Sequence, residues 1–151
     1  LKPHTVAPAS PRFRENVDHF AGVCRVTNGL RRMTVGAVGA RTTAFKTVRI
    51  DELALQKAGI TMETMDLAMV FDRIAKMEPR GAAFNAKKDR LYGAADWSAV
   101  PNSAAETIIK LGVVLDEIIE EFHLDALAVR CWIEMQEQLG ISPCVLLSEL
   151  N

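Results

Sequence analysis

Short apolar segments alternate along this chain with longer segments in which apolar residues recur at helical spacing. The short segments are typical of strands and lie at 33–40, 60–65, 124–131 and 144–147. Strands separated by helices in one repeating order predict parallel strands with right-handed crossovers. We therefore expect a three-layer α/β/α fold, Rossmann-like or flavodoxin-like, with a mostly parallel sheet of about four strands.

The intervening segments carry helix start signals. Ser10 followed by Pro11 predicts an N-cap and a first helical turn, and the helix is expected to end near Gly29 and to cover apolar surface. Asp51 and Asp66 are expected N-caps of the next two helices. Further helices are predicted at 85–91, at 103–122 behind a capping box, and at 133–139 before Gly140.

Length and composition fit a single globular domain with no strong charge. The 151 residues are 49% hydrophobic and carry a formal net charge of -1, which argues against nucleic acid as a partner. No apolar segment is long enough to predict a membrane span. Cys24, Cys131 and Cys144 are too far apart for a zinc knuckle, so we expect a reducing, cytoplasmic environment.

The ends of the sequence suggest a piece of a longer protein. The chain starts at Leu1 without a methionine and stops directly after the fourth predicted strand. We expect residues 1–10, with Pro3 and Pro8, to be a linker from an upstream domain, and residues 11–151 to be one α/β domain of a larger multidomain chain.

Two segments at predicted strand ends are candidate sites. Gly36 to Arg41 follows the first strand, but it lacks the dinucleotide-binding spacing. Arg41 could bind an anion or a hydroxyl group, or it could be a solvated loop charge. Arg130 and Trp132 follow the third strand, where open α/β sheets bind ligands. The alternative is that Arg130 pairs with Glu134 and Trp132 packs under the next helix.

Other motifs are weaker. Glu120 and His123 form a single Glu-x-x-His pair, whereas helical metal sites need two. A thiol enzyme that uses Cys131 or Cys144 has no histidine partner in the sequence pattern, and free cysteines are usually buried.

Three segments resemble the middle domain of L-fucose isomerase-like proteins. They are Gly36-Ala-Val-Gly-Ala-Arg41 with Phe45, the strand Leu124 to Trp132, and Ser142-Pro-Cys144 leading to Ser148-Glu-Leu-Asn151. The resemblance implies a cytosolic aldose-ketose isomerase that uses a divalent metal, usually Mn²⁺, for proton transfer through an enediol. It also implies a catalytic glutamate and metal ligands outside this chain, since no residue here matches them.

We therefore expect the middle domain of a sugar isomerase of the L-fucose or D-arabinose type, inactive alone. Arg130, Trp132 and Arg41 are its expected substrate-binding residues, and no catalytic or metal-binding residue is expected in the chain. The expected partners are a monosaccharide, neighbouring domains of the same chain and further copies in a homo-oligomer. A non-catalytic carbohydrate-binding or interaction module of the same fold is the alternative.

Overall fold

The alternation of strands and helices is present in the computed structural model, which describes residues 5–42 and 44–150. The part of the predicted linker at residues 1–4 lies outside the described residues. The elements in chain order are α1 (Pro11–Leu30), β1 (Thr34–Val38), a 3₁₀ turn (Lys46–Val48), α2 (Glu52–Lys57), β2 (Thr61–Met65), α3 (Leu67–Lys76), α4 (Ala82–Ala94), α5 (Asn102–Glu121), β3 (Ala126–Val129), α6 (Glu134–Leu139) and α7 (Cys144–Glu149).

The strands form one open parallel sheet in the order β2-β1-β3. The central strand β1 pairs Val35 with Met62 on one side and with Ala126 on the other. The predicted α/β class and parallel pairing are confirmed. The described residues form three strands in this sheet, however, rather than the expected four.

The prediction of a strand at 144–147 is wrong, because this segment is the helix α7. A short apolar run does not distinguish a strand from a buried helix. Here Pro143 precedes the first helical residue, and Leu146 is fully buried in the core. Glu149 pairs with Lys87 and Arg90, and these ion pairs tie α7 to α4.

The prediction that α1 covers apolar surface is also wrong for the described part of the chain. Ser10 caps this helix as expected, through its side-chain oxygen and the N–H of Phe13. No residue of α1 is buried, and Phe13, Val17 and Phe20 are 40%, 47% and 68% exposed. Its apolar side chains therefore face away from the core.

Helix capping follows the sequence in part. Asp51 and Asp66 accept from the N–H groups of Ala54 and Ala68, and Gly140 ends α6 in the left-handed conformation, as expected. The predicted capping box at 103–106 is not formed, since α5 already begins at Asn102 after Pro101. The helix predicted at 85–91 extends over the longer range of α4.

The core lies on one face of the sheet. Val38 of β1 and Met65 of β2 point into it, and α3, α4 and α5 supply most of the other side chains. Nine residues of α5 are buried, among them Leu111, Val114 and Leu115 at 0% exposure. In the part of the chain that the structure describes, no helix has both the length and the apolar character needed to cross a membrane.

Gly36 allows this close packing in β1. A methyl group at this position would lie 2.9 Å from Cδ1 of Leu127 and even nearer to the side chain of Leu124. Carbon atoms in contact prefer separations of about 3.5–4.0 Å. The absence of a side chain at Gly36 therefore serves strand packing rather than the approach of a ligand.

A buried ion-pair cluster joins α4, α5 and α7. The side chain of Lys87 is 1% exposed, and its amine lies 2.8 Å from Asp116 and 2.7 Å from Glu149. Arg90 contacts the same two carboxylates at 3.0 Å and 2.9 Å. Phe84, Lys87 and Leu91 share one buried face of α4, so the cluster lies at the edge of the apolar core.

We expect Lys87→Ala to lower the free energy of unfolding by about 3 kcal/mol, because removing one partner of a buried ion pair leaves charge without compensation. The value is at the lower end for such pairs because Arg90 still contacts both carboxylates. Urea denaturation measures it. The exposed helical residue Lys57 is the control, and Lys57→Ala should change stability by no more than about 0.5 kcal/mol. Equal effects would contradict this interpretation of the cluster.

Candidate functional site

A cavity of about 930 Å³ lies on the face of the sheet opposite to the core. Side chains of a strand alternate between the two faces, and Val35, Ala37 and Thr64 are on the cavity side. The cavity extends beyond the carboxyl ends of β1 and β3. Its further walls come from residues after β1, from α2 and from residues after β3: Gly39, Ala40, Arg41, Thr42, Phe45, Val48, Arg49, Ile50, Glu52, Leu55, Arg130, Cys131 and Trp132.

The three residues expected to bind substrate line this same cavity: Arg41, Arg130 and Trp132. Their convergence follows from the sheet. Val38 and Val129 pair at the carboxyl ends of β1 and β3, so the segments after them leave the same edge side by side. The backbone N–H of Arg130 donates to the carbonyl of Val38 at 2.8 Å and continues this pairing by one residue.

Arg130 is held along the cavity wall by an ion pair. Its Nη2 donates to Oε1 of Glu134, four residues later in the first turn of α6. The two side chains are 21% and 30% exposed. Nε of Arg130 and Oε2 of Glu134 are buried and have no hydrogen-bond partner among the described residues. The pair between Arg130 and Glu134, which was the alternative prediction from the sequence, is therefore present. Arg130 nevertheless lines the cavity.

Trp132 does not pack beneath α6, because its side chain is 53% exposed. Its ring meets the ring of Phe45 edge to face, with centroids 4.8 Å apart and an interplanar angle of 64°. This geometry is a favourable one for aromatic pairs. The two rings form an aromatic corner that joins the segments following β1 and β3.

Arg41 is exposed and folds over its own loop. Its Nη1 donates to the carbonyl oxygens of Thr42 and Phe45, both at 3.1 Å. These bonds stabilise the loop that carries Phe45. Gly39 precedes it with φ of 81°, and a methyl group there would lie 3.0 Å from Cβ of Arg130. Backbone conformation and close packing both therefore favour glycine at this position.

The turn between Trp132 and Glu134 has a strained backbone. Ile133 has φ of 74° and ψ of -73°, a conformation that is unfavourable for a β-branched residue. Such residues cost about 1–3 kcal/mol and persist only where their surroundings hold them. The strain therefore lies within the turn that carries both Trp132 and Glu134.

Of the wall formed by the segment that follows β1, the sequence predicted Arg41 but not most of the other residues. Phe45 entered only through the resemblance, and Arg49 and Glu52 were not identified at all. The signal was available, because ligand sites of open α/β sheets use the loops after the strands. Among the lining residues, Arg41, Arg49 and Arg130 are cationic, whereas Glu52 is the one acidic residue. The cavity wall therefore has an excess of positive charge.

The lining offers little to a thiol enzyme or to a metal ion. Cys131 lines the cavity, but no histidine is among the lining residues. Within residues 5–42 and 44–150, no group of three or more His, Cys, Asp or Glu side chains could hold a metal ion. Glu120 and His123 are therefore not part of such a group. The described donor set does not fit a Mn²⁺ site.

The clear pKa shifts in the described part of the chain lie outside the cavity. The hydrogen bond to Glu121 raises the pKa of Arg73 above its ordinary value. The backbone N–H of Ser98, followed by its hydroxyl, lowers the pKa of Asp96 below its ordinary value. Both effects stabilise local charges and indicate no proton-transfer group.

No family model matches the chain. Two curated proteins are similar to it, the sulfoquinovose isomerases of Priestia aryabhattai and Priestia megaterium. Each is 29% identical over 151 residues, and each match covers 95% of this chain and 32% of the relative. The chain thus spans about a third of the length of the curated relatives it matches. The similarity is to part of a sugar isomerase, with sulfoquinovose rather than L-fucose in its name.

We expect Ile133→Gly to be more stable than Ile133→Ala by about 1 kcal/mol, because glycine adopts a positive φ without strain. At ordinary helical positions the order is reversed, and glycine is less stable than alanine by about 0.5–1 kcal/mol. The exposed residue Gln136 of α6 provides that control through Gln136→Gly and Gln136→Ala. Thermal denaturation of the four variants checks both orders. The same order at both positions would show that Ile133 is not strained.

Proposed function

We propose that the chain is the middle, Rossmann-like domain of a longer sugar isomerase and that its cavity binds the sugar substrate. One observation carries the proposal. Arg41, Arg130 and Trp132, chosen from the sequence alone, line one cavity beyond the strand ends of a chain that is similar to part of sulfoquinovose isomerases. Open α/β sheets bind ligands at this position.

The lining suits a sugar. Trp132 and Phe45 present apolar ring surface against which the C–H faces of a sugar ring can pack. Guanidinium groups donate several hydrogen bonds in a fixed geometry, and Arg49 and Arg130 supply them beside this surface. Aromatic surface together with convergent donors is the usual composition of a small-molecule site.

The charge of the lining favours a sugar that carries an anionic group. The resemblance to L-fucose isomerase-like proteins suggests L-fucose or D-arabinose, which are neutral. The curated relatives are named after sulfoquinovose, which is a sugar with a sulfonate group. Three arginines line the cavity beside one carboxylate, Glu52. Arg130 is paired with Glu134, and Arg49 would attract the sulfonate. We therefore propose a sugar sulfonate as the substrate class.

In this proposal the chain binds and orients the sugar, and other parts of the protein transfer the proton. An aldose-ketose isomerase moves a proton between two adjacent carbons, and a bound Mn²⁺ would polarise the oxygens on them. The described donor set fits no such ion, so no step on this chain is assigned to it. The catalytic carboxylate and the Mn²⁺ ligands would come from other domains.

Those neighbouring domains would also cover apolar surface. Phe20 and Val26 of α1 are 68% and 63% exposed, more than a helix in a completed core would leave open. We propose that they contact further domains of the same chain or other copies in a homo-oligomer. We also propose that the longer protein is cytoplasmic.

A carbohydrate-binding module without catalysis is the second candidate function. The observation that favours it is the lining itself, which within residues 5–42 and 44–150 contains no histidine and a single carboxylate. The two functions differ in whether the longer protein converts the sugar that it binds. Interconversion of an aldose and a ketose by the longer protein with Mn²⁺ supports the isomerase, and binding without turnover supports the module.

We expect the chain to bind sulfoquinovose in calorimetry and Trp132→Ala to weaken binding about tenfold, because loss of the ring surface removes about 1.4 kcal/mol. Phe20→Ala is the matched control, since it removes an exposed aromatic ring on α1 away from the cavity lining. Binding that Trp132→Ala leaves unchanged would argue against this cavity as the sugar site.

We expect Arg49→Ala to weaken the binding of sulfoquinovose about tenfold and that of L-fucose by less than about twofold, because charge-assisted hydrogen bonds are stronger than neutral ones. Calorimetry at two salt concentrations measures this. Added salt should weaken sulfoquinovose binding more than L-fucose binding. Arg25→Ala on α1 is the control and should change neither affinity. Equal losses for both sugars would contradict recognition of an anionic group.

A further inference from the structure

Arg130 lines the cavity, and Glu134 is its ion-pair partner outside the described lining. Each has one buried polar atom that lacks the partner such atoms normally have. Nε of Arg130 and Oε2 of Glu134 make no hydrogen bond to any described residue. The large majority of buried polar atoms in proteins are paired, and an unpaired one costs about 1–3 kcal/mol. An arrangement that keeps both atoms unpaired therefore requires an explanation.

The two atoms belong to one ion pair. Nε shares the guanidinium carbon with Nη2, and Oε2 shares the carboxyl carbon with Oε1, while Nη2 and Oε1 are already bonded to each other. The open positions are thus a donor on Arg130 and an acceptor on Glu134. A hydroxyl group both donates and accepts, so a single hydroxyl satisfies the pair. An anionic oxygen would satisfy only Nε and would be repelled by the carboxylate.

We infer that Glu134, the ion-pair partner of the lining residue Arg130, is a sugar-binding residue next to this cavity and that the two side chains together recognise one ring hydroxyl of the substrate. The inference rests on the proposed function and deepens it. It assigns two different groups of the sugar to two places: Arg49 of the lining binds the anionic group, and Arg130 with its partner Glu134 binds a neutral hydroxyl. The i, i+4 spacing of the pair across the start of α6 joins the end of β3 to the following helix.

Access to the two unpaired atoms requires a local rearrangement. Both open atoms are covered in this structure, so a hydroxyl reaches them only after the surrounding residues shift. Ile133 lies within this turn in its strained conformation, with Trp132 beside it. Strain and unpaired atoms both raise the free energy of the empty site. A hydroxyl that pairs with both atoms removes the part of this free energy that comes from the unpaired atoms, which offsets part of the cost of moving the residues that cover them.

Calorimetry with sulfoquinovose and its monodeoxy derivatives, each lacking one ring hydroxyl, tests the inference. For the unmodified chain we expect one derivative to bind about tenfold more weakly than sulfoquinovose, as for a lost hydrogen bond to a charged group. For Glu134→Gln the same derivative and sulfoquinovose should differ by less than about twofold. Glu137→Gln, an exposed position on the same helix, is the control and should retain the tenfold difference.

Arg130→Lys provides a second variant in case Glu134→Gln fails to fold, which circular dichroism detects. Lysine keeps a cation opposite Glu134 but lacks the Nε donor, so the tenfold difference should again fall below about twofold. For each derivative, the loss of affinity relative to sulfoquinovose can be compared between the variants and the unmodified chain. If these losses are the same throughout, the inference is overturned and the proposed function stands. If neither sulfoquinovose nor L-fucose binds the unmodified chain, both are overturned.

Discussion

The one-sided burial of the sheet is the constraint on which the site depends. The inner face of β1 packs on a core to which α5 alone contributes nine buried residues, and Gly36 lets the side chains of Leu124 and Leu127 come close. The outer face is left to small side chains such as Ala37 and Ala128, and the cavity lies there. Parallel sheets are usually covered on both faces. The outer face of this sheet leaves a cavity of about 930 Å³. It therefore has room for a ligand or for another part of a protein.

The sequence predicted the elements whose signals are local and missed those decided by tertiary packing. The N-caps Ser10, Asp51 and Asp66 are found as predicted, because a side-chain oxygen three or fewer residues from the helical N–H acts within one turn. The segment 144–147 is helical, with Leu146 buried in the core and Glu149 at the end of the helix paired with Lys87 of a distant helix. No local pattern contains these tertiary contacts. The burial of Lys87 follows from the same cluster, since lysine is almost never fully buried without partners.

The candidate site was predictable to the level of strand ends. Parallel strands present their carboxyl ends at one edge, so Arg41, Arg130 and Trp132 could be expected to meet there once the strands were identified. The hydrogen-bond or ion-pair partner of each side chain could not be predicted. Arg41 binds carbonyl oxygens of its own loop, and Glu134 reaches Arg130 only through the unusual backbone of Ile133. Such a conformation has no sequence signature in a β-branched residue.

The composition of the cavity bears on what this chain would contribute to the proposed isomerase. Proton transfer between neighbouring carbons needs a base within hydrogen-bond reach. Among the residues that the structure describes, the lining has Glu52 as its one carboxylate and no histidine. Binding needs ring surface and fixed donors, and Trp132, Phe45 and the arginines provide both. If the proposed function holds, a chain that matches 32% of its relatives and has this lining would hold the sugar while other parts of the protein transfer the proton. The strained turn at Ile133 is consistent with this division, because it lies where a ligand would be gripped rather than where a proton would be moved.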